Sequence, residues 1–183
     1  MEKRWKMLKT GIEYAQLAIT GGYIGIPYSK LDCQALVEKV LNDLTGGHYN
    51  WKGSNHMWRT GVSERMTCQD AIKRFGEIPP GYWLFTIKHD GGEKERGYND
   101  DLGNAAHVGI KLFDTGKTGA IHSTTGGVQY ANCPDEKRWT HCGPCKYLSY
   151  QGEFAEQTRI FERIKYLIEE NEQNLNEIRR LIL

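Results

Sequence analysis

"PPGYWLFTIK", Pro79–Lys88, divides the chain into two patterns. Upstream of it, apolar residues recur every three or four positions, the spacing of one helix face. Downstream they come in short runs of β-branched and aromatic residues bounded by turn formers. Helices first and strands afterwards argue for an α+β fold, with helices packed against a mostly antiparallel sheet.

The strand-like runs are "YWLFTIK" (82–88), "HVGIKLF" (107–113), "GAIHST" (119–124), "GVQYA" (127–131) and "KYLSY" (146–150). The link "DTGKT" is short enough to join the second and third as antiparallel neighbours. Between the first two lies "HDGGEKERGYNDDLGNAA" (89–106), whose carboxylates lack the spacing of a calcium loop, so it reads as a solvated connection. Upstream, Trp5, Leu8, Ile12, Ala15 and Ile19 mark one helix, which Gly21 and Gly22 would end. A second helix starts at Asp32 or Cys33, with Asp32 as N-cap and Leu36, Val37, Val40, Leu41 and Leu44 turned inward. "TCQDAIKRFG" (67–76) is a third, short helix capped by Thr67 and stopped by Gly76.

From Phe154 to Leu183 a heptad places seven apolar residues among nine core positions. A helix of that length would span roughly 45 Å, more than a small domain needs to cover its own core. The pattern favours self-association into a homo-oligomer, with Asn171 as a buried polar residue that fixes register. The alternative, for which Tyr166, Leu167 and Leu181 outside the seam speak, is a helix folded back along the sheet. The expected organisation is a catalytic domain over 1–150 and a helix over 151–183.

Among 183 residues, 24 basic side chains stand against 23 acidic ones, so a net charge of +1 supplies no field to recruit nucleic acid or an anionic membrane. Five cysteines, an odd number without framework spacing, suit a reducing compartment. The first twenty residues interrupt their apolar positions too often for a signal peptide, and no apolar run is long enough to span a membrane. Synthesis in the cytoplasm without a leader is expected.

The stretch "GIPYSKLDCQALVEKVL" (25–41) sets a cysteine where a Gly/Pro-rich loop becomes a helix. A helix N-terminus and a nearby imidazolium are the two common ways to hold a thiolate. Cys33 has the first. For the second, His107 opens the strand "HVGIKLF" after two small residues, and His122 lies near the end of "GAIHST". On adjacent antiparallel strands the two can share a face if register allows. His107 would then serve as base, His122 would fix its tautomer, and the backbone N–H of Cys33 would meet a developing oxyanion. The bland alternative is a small core cysteine and two half-buried strand histidines.

"GIPYSKLDCQALVEKV", then "AAHVGIKLF", then "GAIHST" resembles the NlpC-type cell-wall cysteine peptidases, whose motifs run Asp-Cys-Ser-Gly, His-Val-Gly-Ile and Ile-His. The likeness covers about Tyr23 to Tyr130. It implies a papain-like fold with Cys33 as nucleophile, His107 as base and His122 as orienting group. It also implies hydrolysis of an amide bond in peptidoglycan stem peptides without a cofactor or metal. Tyr28 matches a tyrosine near the nucleophile in that family, and Asp32 and Trp58 complete the expected substrate contacts. Gln34-Ala35 stands where the family has Ser-Gly. The variant motifs, with "GSNHMWR", are similar to a phage and prophage subgroup, which implies a lysin or tail-associated enzyme released by lysis or carried on the virion. The alternatives are a catalytically inactive binding or assembly module on the same fold, and an acyltransferase.

Two competing clusters remain. Cys133, His141, Cys142 and Cys145 contain one C-x-x-C, short of the second pair that a structural zinc site normally needs. Tyr49, Trp51, Met57 and Trp58 either line a cleft or cover the helices.

Overall fold

Thr10 and Glu13 begin the described fold with a capping box: each side chain accepts from the other's backbone N–H, at 3.1 and 2.9 Å. The computed structural model describes residues 9–113, 119–133 and 138–150. The first helix, α1, is therefore Gly11–Thr20, and Trp5 and Leu8, expected on the same helix, lie outside the described residues. Tyr14, Ala15 and Ala18 are its buried residues, while Ile19 is 36 % exposed, so the core-facing stripe is rotated from the expected one. The Tyr14 hydroxyl donates to the Val37 carbonyl at 2.8 Å and ties α1 to the next helix.

That helix, α2, is Cys33–Thr45, and the Asp32 carboxylate accepts the Ala35 N–H at 2.7 Å as its N-cap. Leu36, Val37, Val40 and Leu41 are fully buried, as their spacing predicts. Gly46 ends it in the left-handed conformation, φ 66°. Ser54–Thr60 forms α3, an element the periodicity did not announce, and Cys68–Phe75 forms α4. Thr67 caps α4 and Gly76 terminates it, both as expected.

Among the described residues six strands make one sheet: β1 Met66–Thr67, β2 Trp83–Lys88, β3 Asn104–Lys111, β4 Ala120–Thr124, β5 Gly127–Ala131 and β6 His141–Gly143. Their order is β1-β6-β2-β3-β4-β5, with every pair antiparallel. The fold is thus α+β, with α2 and α3 packed on β3 and α2 also on β4. "KYLSY" is not a strand. It turns after Cys145 and returns toward α1, where Ser149 donates its N–H to the Lys9 carbonyl at 2.8 Å. The sheet's true last strand is the short "HCG", which carries no periodic signal.

The chain divides at Ser149/Tyr150. The heptad expected over 154–183 lies outside the described residues. Among the described residues, no helix is long and apolar enough to cross a membrane.

Candidate active site

The loop before Cys33 is fastened to the sheet at three points. Gly25 donates to the Val128 carbonyl and Val128 to the Ile26 carbonyl, both at 2.9 Å. Ser123, one residue past His122, donates its hydroxyl to the Leu31 carbonyl at 2.5 Å. A side chain at Gly127 would meet the Ile26 carbonyl at 2.7 Å, and its φ is 89°, so only glycine lets the loop lie this close. Cys33 is delivered as the first residue of α2, with its thiol buried.

Burial pushes the Cys33 thiol up, against backbone N–H groups of Val108, Gln34 and Cys33 itself, which favour the thiolate. The net direction is upward. Burial and the charge of the neighbouring Asp32 together outweigh those backbone donors. The expected standing thiolate gives way to a neutral thiol at rest. Tyr28, 40 % exposed, places its hydroxyl on the same sulfur. Its pKa is raised first by the charge Cys33 carries once ionised, then by burial, with Asp32 and the hydrogen bond to Cys33 adding to it.

Val108 is the residue after His107, so the thiol meets β3 beside the candidate base. The start of β3 is pinned from α3: Ala105 donates to Asn55 Oδ1 at 2.9 Å, Ser54 donates to the Ala105 carbonyl, and Arg59 clamps Asp100 with 2.8 and 2.6 Å contacts. These bonds give "GSNHMWR" a physical role: it positions the strand that carries His107.

β3 and β4 are in register with Gly109 opposite His122. His107 and His122 therefore lie diagonally on one face, and His107 Nε2 meets His122 Nδ1 at 2.8 Å. The Trp139 indole stacks on His107, with centroids 5.6 Å apart and planes 21° apart, and stands edge-on to His122 at 5.5 Å. A Cβ at Gly109 would approach Trp139 Cη2 to 2.7 Å and the Ile121 carbonyl to 2.9 Å. The glycine of "HVGI" makes room for this indole. Segment 138–140 reaches the pair along β2: the Thr86 hydroxyl donates to the Arg138 carbonyl at 2.5 Å, Thr140 donates to the Phe85 carbonyl at 3.0 Å, and Thr86 is opposite His107. Arg138 Nη1 lies 3.0 Å from His122 Nε2.

Burial, then the Arg138 charge, lowers the His107 pKa to about 4. Burial, then His107 and Arg138, lowers that of His122 to about 4. Both rings are neutral near pH 7.

Of the expected substrate contacts, Tyr28 reaches the sulfur, whereas Asp32 spends its carboxylate on the helix cap. Trp58 is corrected to a packing residue: it is 2 % exposed, donates to the Leu102 carbonyl at 3.0 Å and packs on Phe85. Trp51 likewise packs edge-on to Trp83. Trp139 and Arg138, which complete the histidine site, had no sequence signal beyond their nearness to His141. Among the described residues no group of three or more His, Cys, Asp or Glu is arranged to hold a metal. Cys142 and Cys68, both free thiols, share a hydrogen bond.

No family model matches the chain, and no curated protein matches it significantly.

Proposed function

We propose that this domain is a thiol-dependent hydrolase of the NlpC-type, papain-like kind, cleaving an amide bond in peptidoglycan stem peptides. One observation carries the reading: His107 Nε2 is bonded to His122 Nδ1 at 2.8 Å while the Cys33 thiol meets the backbone of the next residue, Val108. A nucleophile at a helix start, with its base on a strand of the sheet beneath and a third group orienting that base, is the general logic of such triads.

Because His122 occupies His107 Nε2, His107 exchanges protons through Nδ1. Sulfur of Cys33 attacks the carbonyl carbon as its proton passes to that nitrogen, and the oxyanion is met by backbone N–H groups at the start of α2. His107 then protonates the leaving amine, and the acyl group remains on Cys33 as a thioester. Water adds to the thioester, giving its proton to His107, and the thiol is restored as the carboxylic product leaves. A phage lysin or tail-associated enzyme suits this activity and the variant motifs.

Purified protein incubated with peptidoglycan should release muropeptides detectable by mass spectrometry, and Cys33→Ala should lower that release by roughly a thousandfold or more. Equal release by both proteins, or none by either, would remove the hydrolase reading. A second reading, an inactive binding or assembly module, draws on the raised thiol and the lowered histidine pKa values; it predicts binding to peptidoglycan without change in fragment masses. Products formed on added amines would instead indicate an acyltransferase.

A further inference from the structure

Arg138 decides which nitrogens of the histidine pair carry protons. A guanidinium only donates, and two donors cannot face each other at the 3.0 Å that separates Arg138 Nη1 from His122 Nε2. His122 Nε2 is therefore the acceptor, and the neutral ring carries its proton on Nδ1. That proton is donated across 2.8 Å to His107 Nε2, which must also be an acceptor. His107 in turn carries its proton on Nδ1. Every link of the chain then points from Arg138 outward, and His107 Nδ1, the nitrogen left for the thiol, is already filled.

The reverse chain is the one a base requires. Nδ1 must be empty, Nε2–H must donate to His122 Nδ1, and His122 Nε2–H must point at an acceptor or at water. Arg138 is incompatible with the last step. We propose that Arg138 is a positioning residue of the hydrolase described above, holding the His107–His122 pair in the tautomer that cannot take the thiol proton until the guanidinium leaves His122 Nε2. The inference rests on that functional reading for its consequence, but its chemistry stands on the two distances alone. Arg138 is exposed although it touches a fully buried ring, so its side chain can exchange this contact for solvent or an incoming group without unpacking the core. Its cationic charge also works against an imidazolium on either ring.

Long-range ¹H–¹⁵N correlation spectra of the full chain, labelled on histidine, test this directly. In the wild-type protein the unprotonated, pyridine-type nitrogens should be Nε2 of both His107 and His122. In Arg138→Met they should move to Nδ1 of both rings, and Arg138→Lys, which keeps a donor, should retain the wild-type pattern. Cys33 in Arg138→Met should react with iodoacetamide about tenfold faster or more, since a base is then free to accept the proton. An empty His107 Nδ1 in the wild-type spectrum, or the same pattern with and without the guanidinium, overturns the proposal. The spectra are read without turnover, so they decide it even if no peptidoglycan is cleaved, and loss of the hydrolase reading is recognised separately.

Discussion

Cys33 and Cys68 are a built-in comparison. Each is the first residue of a helix, and each helix is N-capped by the residue before it, Asp32 or Thr67. Both thiols are buried. They differ in what they face. Cys33 meets the backbone beside His107 and the hydroxyl of an exposed tyrosine, whereas Cys68 faces another thiol, Cys142, whose own pKa is raised first by that hydrogen bond and then by burial. A capped helix start does not by itself make a nucleophile. The two starts differ in the strand that lies against them: Cys33 faces β3, where His107 has its Nε2 held by His122.

The largest expected effect separates the two cysteines. Cys33→Ala abolishes muropeptide release with the fold unchanged, while Cys68→Ala leaves turnover within about twofold and lowers stability by about 1 kcal/mol, as one small buried truncation does. Turnover assays beside thermal melts of both variants check this; comparable loss of activity in both would erase the contrast.

Next in size is the orienting ring. His122→Ala should lower kcat by about a hundredfold or more, the usual scale of a general-base contribution, with little change in KM. Steady-state kinetics in which KM alone rose would reassign His122 to substrate binding.

Gly109→Ala comes third. Its Cβ would meet Trp139 at 2.7 Å and the Ile121 carbonyl at 2.9 Å, the latter being backbone that cannot swing aside. Overpacking of this kind costs about 1–3 kcal/mol, and denaturant melts should show it, with the indole displaced from His107. A variant as stable as the parent would mean that the glycine serves no packing purpose.

A pH dependence is the last contrast. Both histidine pKa values are lowered to about 4 from an ordinary value of 6.5, so the unfolded chain binds more protons between those values. Stability contributed by the neutral pair is fully present above about pH 6.5 and is lost as pH falls toward 4. Denaturant unfolding across that range should show the decline, and His107→Gln should flatten part of it.

The legible parts of the molecule were those where one local pattern decides. The cap and apolar stripe of α2, the Thr67 cap of α4 and the strand-like runs of β2, β4 and β5 could all be read. The T-x-x-E box at Thr10 was equally explicit, yet the spacing from Trp5 to Ile19 suggested a longer helix with another buried face. β6 was hidden because three residues pair through backbone alone, while "KYLSY" has strand composition but spends its backbone in a turn. The histidine pair was readable as a pair, since strand register alone sets it. Trp139 and Arg138 were not, because their place depends on where the chain returns along β2 beyond the bulge between Thr86 and Ile87. The environment of the thiol is legible only in part: the helix start is visible in sequence, but the burial that raises the thiol pKa is not.

The most direct test of the central claim is to acid-quench a reaction with peptidoglycan peptides and map any acyl adduct by mass spectrometry. The account predicts a thioester on Cys33, absent in His107→Ala, with Cys68 unmodified throughout. Product release without such an adduct, or an adduct on Cys68 instead, would contradict it.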